Sequence, residues 1–294
     1  MQLDLFDHSR DVMLQSDVIR ALEMRDAAAA HAACERLAQE FPRDDLLPVL
    51  RTLASALADA GSTASLGDFE NHAAVRQARE ALETDVRPAV LRVFGPADAQ
   101  AWLAPLRERL ALRARPLPFD PSQPAEHCGV LWLAAGNWNA AAQVVATIES
   151  WRRIPAPLAW MIEARLKLFG LQAAWPMIAE LGWMAPARLD VLLRQSDEPL
   201  LAALLHQFDA QFDGAGDAED AAWFAAWALI ERPEVAPHIA AAQPGQHGAP
   251  EQATRLLIEL LGLERQGRQR DIANKRKALR DLHRPLFDAY MKTR

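Results

Sequence analysis

The sequence predicts an all-α fold with no β-sheet, arranged as a right-handed superhelix of antiparallel helical hairpins. Three stretches of the 294 residues repeat one pattern: an apolar helix end, a tight polar or glycine elbow, an alanine-rich helix and a closing proline. They are Ala21–Pro42, Leu133–Pro155 and Leu166–Pro186. No segment alternates in the way that is typical of strands. Such hairpins cannot bury their apolar faces alone, so they stack and leave a curved surface that can bind other molecules.

The pattern of the first 114 residues predicts a short tail followed by helical hairpins. Residues 1–8 form the expected flexible tail, and Ser9 can cap a helix that runs to about Arg25. Asp26 precedes a second helix, which ends at Pro42 because proline cannot continue a helix. The remaining helices of this part are expected near residues 46–60, 68–82, 85–94 and 96–113, with a break at Gly95-Pro96.

Four prolines mark residues 115–125 as the main boundary, which is either an interdomain linker or a long loop of the superhelix. The expected organisation is therefore a tail, N-terminal hairpins, this segment and C-terminal hairpins, at 1–8, 9–114, 115–125 and 126–294. In the last part, helices are expected near residues 126–135, 139–153, 158–169, 173–181, 187–194, 199–212, 219–231, 250–261 and 268–284. The acidic residues 213–220 are expected to be a flexible loop.

Two of the three units share a residue spacing in the second helix and its closing proline. A small residue, two core residues and a proline follow at intervals of four, three and five: Ala30–Cys34–Leu37–Pro42 and Ala174–Ile178–Leu181–Pro186. This spacing resembles the tetratricopeptide repeat, in which the small residue lets two helices approach closely. The resemblance is degenerate, because the middle unit carries a one-residue insertion and the repeat's first-helix signature is absent. It implies a helical-repeat fold and, by analogy, a protein-interaction scaffold.

Composition and charge narrow the class of protein. The chain is 51% hydrophobic and 24% charged, as is usual for a folded globular protein. No apolar run approaches the ~20 residues that span a bilayer, so no membrane partner is expected. Two scattered cysteines indicate a reducing, cytoplasmic location. The net charge is −7, yet residues 265–294 hold ten Lys and Arg against three Asp.

The first residues form a short linear motif. Gln2, Leu3, Asp4, Leu5 and Phe6 resemble the pentapeptide by which bacterial replication and repair proteins bind the DNA polymerase sliding clamp. In that interpretation Leu5 and Phe6 fill an apolar cleft of the clamp, from an exposed chain terminus. The alternative is that the apolar side chains of the motif fold back on the first helical pair.

Tryptophans are concentrated in the middle of the chain, where six of the nine lie between Trp132 and Trp183. Aromatic side chains can line a groove that grips a peptide or stacks bases, or they can fill gaps between alanine-rich helices. The candidates for a groove are Trp132, Trp138, Trp160 and Trp175.

The last predicted helix has a basic face. Arg276, Lys277, Arg280 and Arg284 lie within about 100° at 3.6 residues per turn, and such a face can contact phosphates. No aromatic residues are interleaved with them, and the rest of the chain is acidic. A solvated face, or a helix that caps the protein's own acidic body, explains the pattern as well, so direct nucleic-acid binding is not expected.

No catalytic motif stands out. Glu126-His127-Cys128 is the one local cluster of metal-ligand residue types, and no second pair at ligand spacing accompanies it, so neither a metal nor a cofactor is expected. The sequence therefore indicates a non-catalytic scaffold that binds a protein or peptide, with the N-terminal motif as a further tether to the sliding clamp. The alternatives are a nucleic-acid-binding protein that uses the basic helix, an enzyme with a site built from dispersed groove residues, and a structural subunit of an assembly.

Overall fold

The computed structural model describes residues 2–61 and 67–294, with the side chains of residues 2–9 and of Gln269 outside that description. The described residues are all-α and contain no strand, as predicted. They form two compact units, which divide between Asn137 and Trp138. The proline-rich residues 115–125, expected to be the main boundary, therefore lie inside the first unit. No described helix is both long and apolar enough to cross a membrane.

The first unit is built from helices of very different length. Its α-helices are α1 (Gln2–Glu23), α2 (Ala27–Glu40), α3 (Leu47–Gly61), α4 (His72–Ala81), α5 (Arg87–Ala114) and α6 (Cys128–Ala135).

Two aspartates cap helices of the first unit. The carboxylate of Asp26 accepts the backbone N–H of Ala29 at 2.9 Å and so caps α2. Asp44 accepts the N–H of Leu47 at 3.1 Å at the start of α3. Both contacts satisfy backbone donors that a helix N-terminus leaves without a partner. The start of α1 differs, because its backbone is already helical at Gln2 and not first at Ser9.

The connection from α4 to α5 is irregular in two places. The turn Leu82–Val86 is π-helical and joins α4 directly to α5. Within α5, Gly95 adopts φ 77° and ψ 172°, which interrupts the helix at the position that the sequence indicates. Glycine tolerates this conformation, and Pro96 then starts the next helical run.

Leucines form the core of the first unit. Leu22, Leu37, Leu50, Leu53 and Leu103 come from four different helices and are almost completely buried. Each buried leucine contributes about 1.5–3 kcal/mol of transfer free energy, so this cluster holds α1, α2, α3 and α5 together.

The second unit continues with shorter helices. Its α-helices are α7 (Trp138–Ala146), α8 (Pro155–Phe169), α9 (Leu171–Met184), α10 (Pro186–Gln195), α11 (Pro199–Gln211), α12 (Phe224–Glu231), α13 (Ala236–Ile239), α14 (Ala249–Gln266), α15 (Gln269–Leu282) and α16 (Arg284–Lys292). Helix α10 packs against both α8 and α9.

The α8–α9 pair is a tight helical hairpin. Gly170 joins the two helices with φ 76°, so the elbow is a single residue. Ala174, Ile178 and Leu181 of α9 are fully buried, and Pro186 starts α10. The residues that carry the repeat spacing are thus core residues of a hairpin. In the first unit Ala30, of α2, is likewise fully buried.

Side-chain carboxylates fix two connections of the second unit that the sequence marks as loops. Asp220 accepts the N–H groups of Ala215 and Gly216 at 2.9 and 2.7 Å, so the acidic segment expected to be flexible folds around this side chain. The buried Glu180 accepts two bonds from Arg152 and the N–H of Gln243, each at 2.6 Å. Satisfied buried carboxylates of this kind hold a loop in one conformation.

Candidate functional site

A concave surface of the first unit lies between α3 and α4. Both helices pack against α5, and the gap between them is a cavity of about 1030 Å³. We call it the first-unit groove. Its floor is the α5 face that carries Leu106, Arg109, Leu110 and Arg113, which follow at i, i+3, i+4 and i+7 and so lie on one side of the helix. The π-helical turn after α4 closes one part of the wall.

Small residues make the walls of the first-unit groove thin. Ser55 and Ala56 of α3 face the gap on one side, and Ala78 and Ala81 of α4 face it on the other. Ser55 and Ala81 are exposed, whereas Ala56 and Ala78 are half-buried. Larger side chains at these positions would fill the space between α3 and α4.

Charged side chains at the rim of the first-unit groove are bound to other parts of the unit. Asp44 caps α3 and also accepts the amide of Gln15 at 2.7 Å. Arg51 pairs with Glu35 at 3.1 Å. Arg113 donates to the carbonyl of Gly67 at 2.8 Å. Asp59, Asp85 and Arg109 line the groove as well, so it offers charged groups beside the leucines of its floor.

A second concave surface lies in the second unit, on α8. Its floor carries Trp160 and Glu163, which are three residues apart and so lie side by side on one face. Trp138, at the start of α7, forms one wall, and α10 with residues 196–198 forms the other. The cavity measures about 520 Å³. We call it the tryptophan cleft.

The charges of the tryptophan cleft are only partly matched. Lys167 donates to both carboxylate oxygens of Asp197 at 2.5 Å, and its Nζ lies 5.8 Å from the ring centroid of Trp138. Glu163 is accessible to solvent but stands in a concave site, where burial by surrounding protein raises the pKa of its carboxyl. Lys167 lowers that pKa and Asp197 raises it, and the raising effects prevail.

The four tryptophans predicted for a groove separate into two pairs. Trp138 and Trp160 line the tryptophan cleft. Trp175 is only 1% exposed and its ring stacks against Phe224 at 6.2 Å between centroids, so it is a core residue of the second unit. Trp132 is 7% exposed and lies in α6 of the first unit. The structure thus brings two of the four candidates together in one cleft.

The clamp-like motif lies at the beginning of α1. The backbone of residues Gln2 to Phe6 is helical, as part of Gln2–Glu23. The side chains of this motif lie outside the described residues, so its apolar contacts remain a prediction.

The basic face of α15 is divided between internal and external roles. Arg276 donates to the hydroxyl of Tyr290 and to the carboxylate of Glu264, each at 3.1 Å. Lys277 is exposed, and the guanidinium of Arg280 lies 3.6 Å from Asp281. Arg284, which begins α16, lies 3.8 Å from Asp288 and is 80% exposed. One of the four predicted phosphate contacts therefore ties helices together.

The metal-ligand cluster predicted from sequence has structural contacts. Glu126 pairs with Arg76 at 2.9 Å, and both partners come from the first unit. The ring of His127 accepts the N–H of Gly129 at 3.1 Å and caps α6. Burial, with a smaller effect of His72, lowers the pKa of His127 to about 4. Within the part of the chain that the structure describes, no group of three or more metal-ligating residues converges.

Sequence reasoning did not predict the first-unit groove. The one signal in the sequence is the spacing of Leu106, Arg109, Leu110 and Arg113, which places two arginines on an apolar helix face. That pattern is equally typical of a helix that faces the core and extends its arginines to solvent.

Comparison with known proteins adds no relative. No protein-family model matches the chain, and neither the curated proteins nor the solved structures give a significant match. The two concave surfaces and the sequence motifs are therefore the features that bear on function.

Proposed function

We propose that the protein is a non-catalytic interaction scaffold, which binds an amphipathic helix of a partner protein in the first-unit groove. The observation that carries this proposal is the groove itself, a gap of about 1030 Å³ between two helices that share one floor. A helix that lays its apolar face between α3 and α4 would contact Leu106 and Leu110 of α5. This is the helix-in-groove mode of recognition, in which residues at i, i+3, i+4 and i+7 anchor the partner.

The chemistry of the groove favours a protein partner over a reaction. Its described lining contains serine, threonine and aspartate but no histidine or cysteine. Asp44 and Arg113 are engaged in helix capping and loop contacts. An enzymatic site built from dispersed residues has less support, because these polar groups already have structural roles.

Two further elements belong to the proposal. Tetratricopeptide-like stacking is supported by the fully buried Ala30 and Ala174, the small residues that this repeat places between its helices. A cytoplasmic location fits Cys34 and Cys128, which are both buried and form no disulfide.

The N-terminal motif supports a second, separate interaction. Gln2 to Phe6 match the clamp-binding pattern, and we include docking on the DNA polymerase sliding clamp in the proposal. Such a tether would raise the local concentration of a groove-bound partner near DNA. Fluorescence anisotropy of a labelled peptide of residues 1–10 with purified clamp tests it. Saturable binding supports the tether, and no binding at high micromolar clamp contradicts it.

The basic face of α15 gives less support to nucleic-acid binding. Arg276 is held by Tyr290 and Glu264, which leaves three of the four candidate residues for phosphates. Steep salt dependence of binding to a generic duplex would be the mark of that alternative.

An affinity pull-down from the native host tests the groove. Four baits are compared: the full chain, the chain without residues 1–8, Ala81→Arg and Ala73→Arg. Ala81 and Ala73 are both exposed residues of α4, and only Ala81 lines the groove. We expect a partner whose recovery falls at least about tenfold with Ala81→Arg, since a charged side chain then enters the space of the partner's apolar face. Equal recovery with the two arginine variants would contradict the proposal.

A further inference from the structure

The tryptophan cleft contains a carboxylate whose expected partner is bound elsewhere. Glu163 and Lys167 are four residues apart on α8, in the order that gives the best helical ion pair. Lys167 instead donates to both oxygens of Asp197 at 2.5 Å. Among the residues that the structure describes, Glu163 forms no hydrogen bond or ion pair, although the charge of Lys167 lies close enough to lower its pKa. The cleft thus holds an acidic group whose neighbouring cation is bound to another carboxylate.

The position of Glu163 suits a ligand more than a solvated surface role. Its side chain is exposed, so a ligand can reach it. It also lies among the residues that line a cavity of about 520 Å³, within the size range of small ligand pockets. Burial by the surrounding protein raises the pKa of the carboxyl, and a cation bound beside it would stabilise the anion.

The charges and the aromatic rings of the cleft both favour a positively charged ligand. Three carboxylates line it against two basic side chains, an excess of one negative charge: Glu163, Asp197 and Glu198 against Lys167 and Arg188. Trp138 is half-buried and supplies an aromatic face, which attracts cations, whereas Trp160 lines the cleft with only 9% of its surface exposed. One of these rings already has a cation nearby, because the Nζ of Lys167 lies 5.8 Å from the centroid of Trp138.

We propose that the tryptophan cleft binds the guanidinium group of an arginine side chain in a partner peptide, with Glu163 as its acidic contact and a tryptophan ring as its stacking surface. Arginine fits better than lysine for two reasons. Its planar fork bonds a carboxylate through two parallel N–H groups, and its weakly hydrated plane stacks on aromatic faces. This site lies in the second unit and is independent of the first-unit groove, so each can fail without the other.

Isothermal titration calorimetry on the full chain tests the site with the capped peptide acetyl-Gly-Arg-Gly-amide. A single side chain of this kind is expected to bind with a Kd of about 1 mM. The analogue with citrulline has nearly the same shape and no charge, and it should bind at least about tenfold more weakly because Glu163 loses its ionic partner. The lysine analogue should bind more weakly than arginine, because it cannot form two parallel bonds.

Two matched variants assign the site. Glu163→Gln and Glu149→Gln each remove one negative charge from the second unit, and Glu149 is exposed outside the cleft. Glu163→Gln should weaken the arginine peptide about tenfold, and Glu149→Gln should leave it unchanged. Circular dichroism checks that both variants fold.

Any one of the following results would overturn the proposal. They are no binding of the arginine peptide, equal binding of arginine and citrulline peptides, equal binding of arginine and lysine peptides, and equal affinities for the two glutamine variants. Tighter binding of free arginine than of the capped peptide would also overturn it, because the site would then recognise an amino acid rather than a peptide side chain.

Discussion

The two concave surfaces of this protein differ in what their charges are bound to. At the first-unit groove, Arg51 pairs with Glu35 and Arg113 donates to the carbonyl of Gly67, both within the unit. In the tryptophan cleft, Lys167 pairs with Asp197, and Glu163 forms no ion pair or hydrogen bond among the described residues. We therefore expect the leucines of the floor to matter most at the first surface and charge to matter most at the second. We infer that the ion pairs a surface has already formed, as well as the residue types that line it, decide what it can recognise.

Blocking the first-unit groove from both walls should have the largest effect. Ser55→Arg with Ala81→Arg places two charged side chains between α3 and α4, and we expect the affinity for the recovered helical partner to fall about a hundredfold, as for loss of a central interface contact. The arginine peptide should bind the tryptophan cleft of this variant as before. Calorimetry with both ligands measures the two effects.

The control for that variant carries the same added charge outside the groove. Ala73→Arg with Gln77→Arg places two arginines at exposed positions of α4 that do not line it. A similar loss of partner affinity in the control would show that added charge, and not blockage of the groove, is responsible.

Acidification should affect the tryptophan cleft and not the groove. Because the pKa of Glu163 is raised from its ordinary 4.5, its carboxylate is protonated at a higher pH than an exposed glutamate. Binding of the arginine peptide should therefore be present at pH 7 and decline as the pH falls. Calorimetry at pH 7, 6 and 5 measures this decline. A flat profile in wild type, or the same profile in Glu163→Gln, would remove Glu163 from the site.

Replacing the internal cation should strengthen the cleft. Lys167→Met removes a like charge near the ligand and uncovers the ring of Trp138, which is worth about 0.5–1 kcal/mol at an exposed site. We expect about threefold tighter binding of the arginine peptide. The exposed Lys292→Met, in α16, is the matched control. Weaker binding in Lys167→Met would mean that Lys167 supports the site instead of competing for it.

Added salt should weaken ligand binding at the tryptophan cleft but not at the first-unit groove, and this is the smallest expected effect. Between 0.1 and 1 M NaCl the screening length falls from about 10 to about 3 Å, so an accessible ionic contact is weakened. We expect about a twofold loss for the arginine peptide and no loss for the helical partner, since apolar burial does not depend on screening. A larger loss for the helical partner would mean that charge holds it in the groove.

The sequence predicted the local features of the fold well. Asp26 and Gly95 begin or interrupt helices as expected, because a cap or a positive φ depends on a few neighbouring residues. The sequence offers Trp138 and Trp175 equally as groove residues, but packing against other helices, including the ring of Phe224 in α12, makes Trp175 a core residue.

Long-range contacts decided the remaining features. Ser55 and Leu106 both line the first-unit groove, although about fifty residues separate them in the sequence. No local sequence pattern indicates that α3 and α4 pack on the same face of α5. Arg276 belongs to the predicted basic face, yet its partners Glu264 and Tyr290 come from two other helices. The division between Asn137 and Trp138 likewise follows from packing: Gly136 ends α6 just before it, but a helix-ending glycine does not by itself mark a boundary between units.

Hydrogen–deuterium exchange of the full chain, with and without the recovered partner, tests whether the first-unit groove is the binding site. We expect the partner to slow exchange in α3, α4 and the groove-facing residues 106–113 of α5. Ala81→Arg should abolish this protection, and Ala73→Arg should keep it. Protection confined to other helices, with these three segments unchanged, would contradict the groove as the binding site.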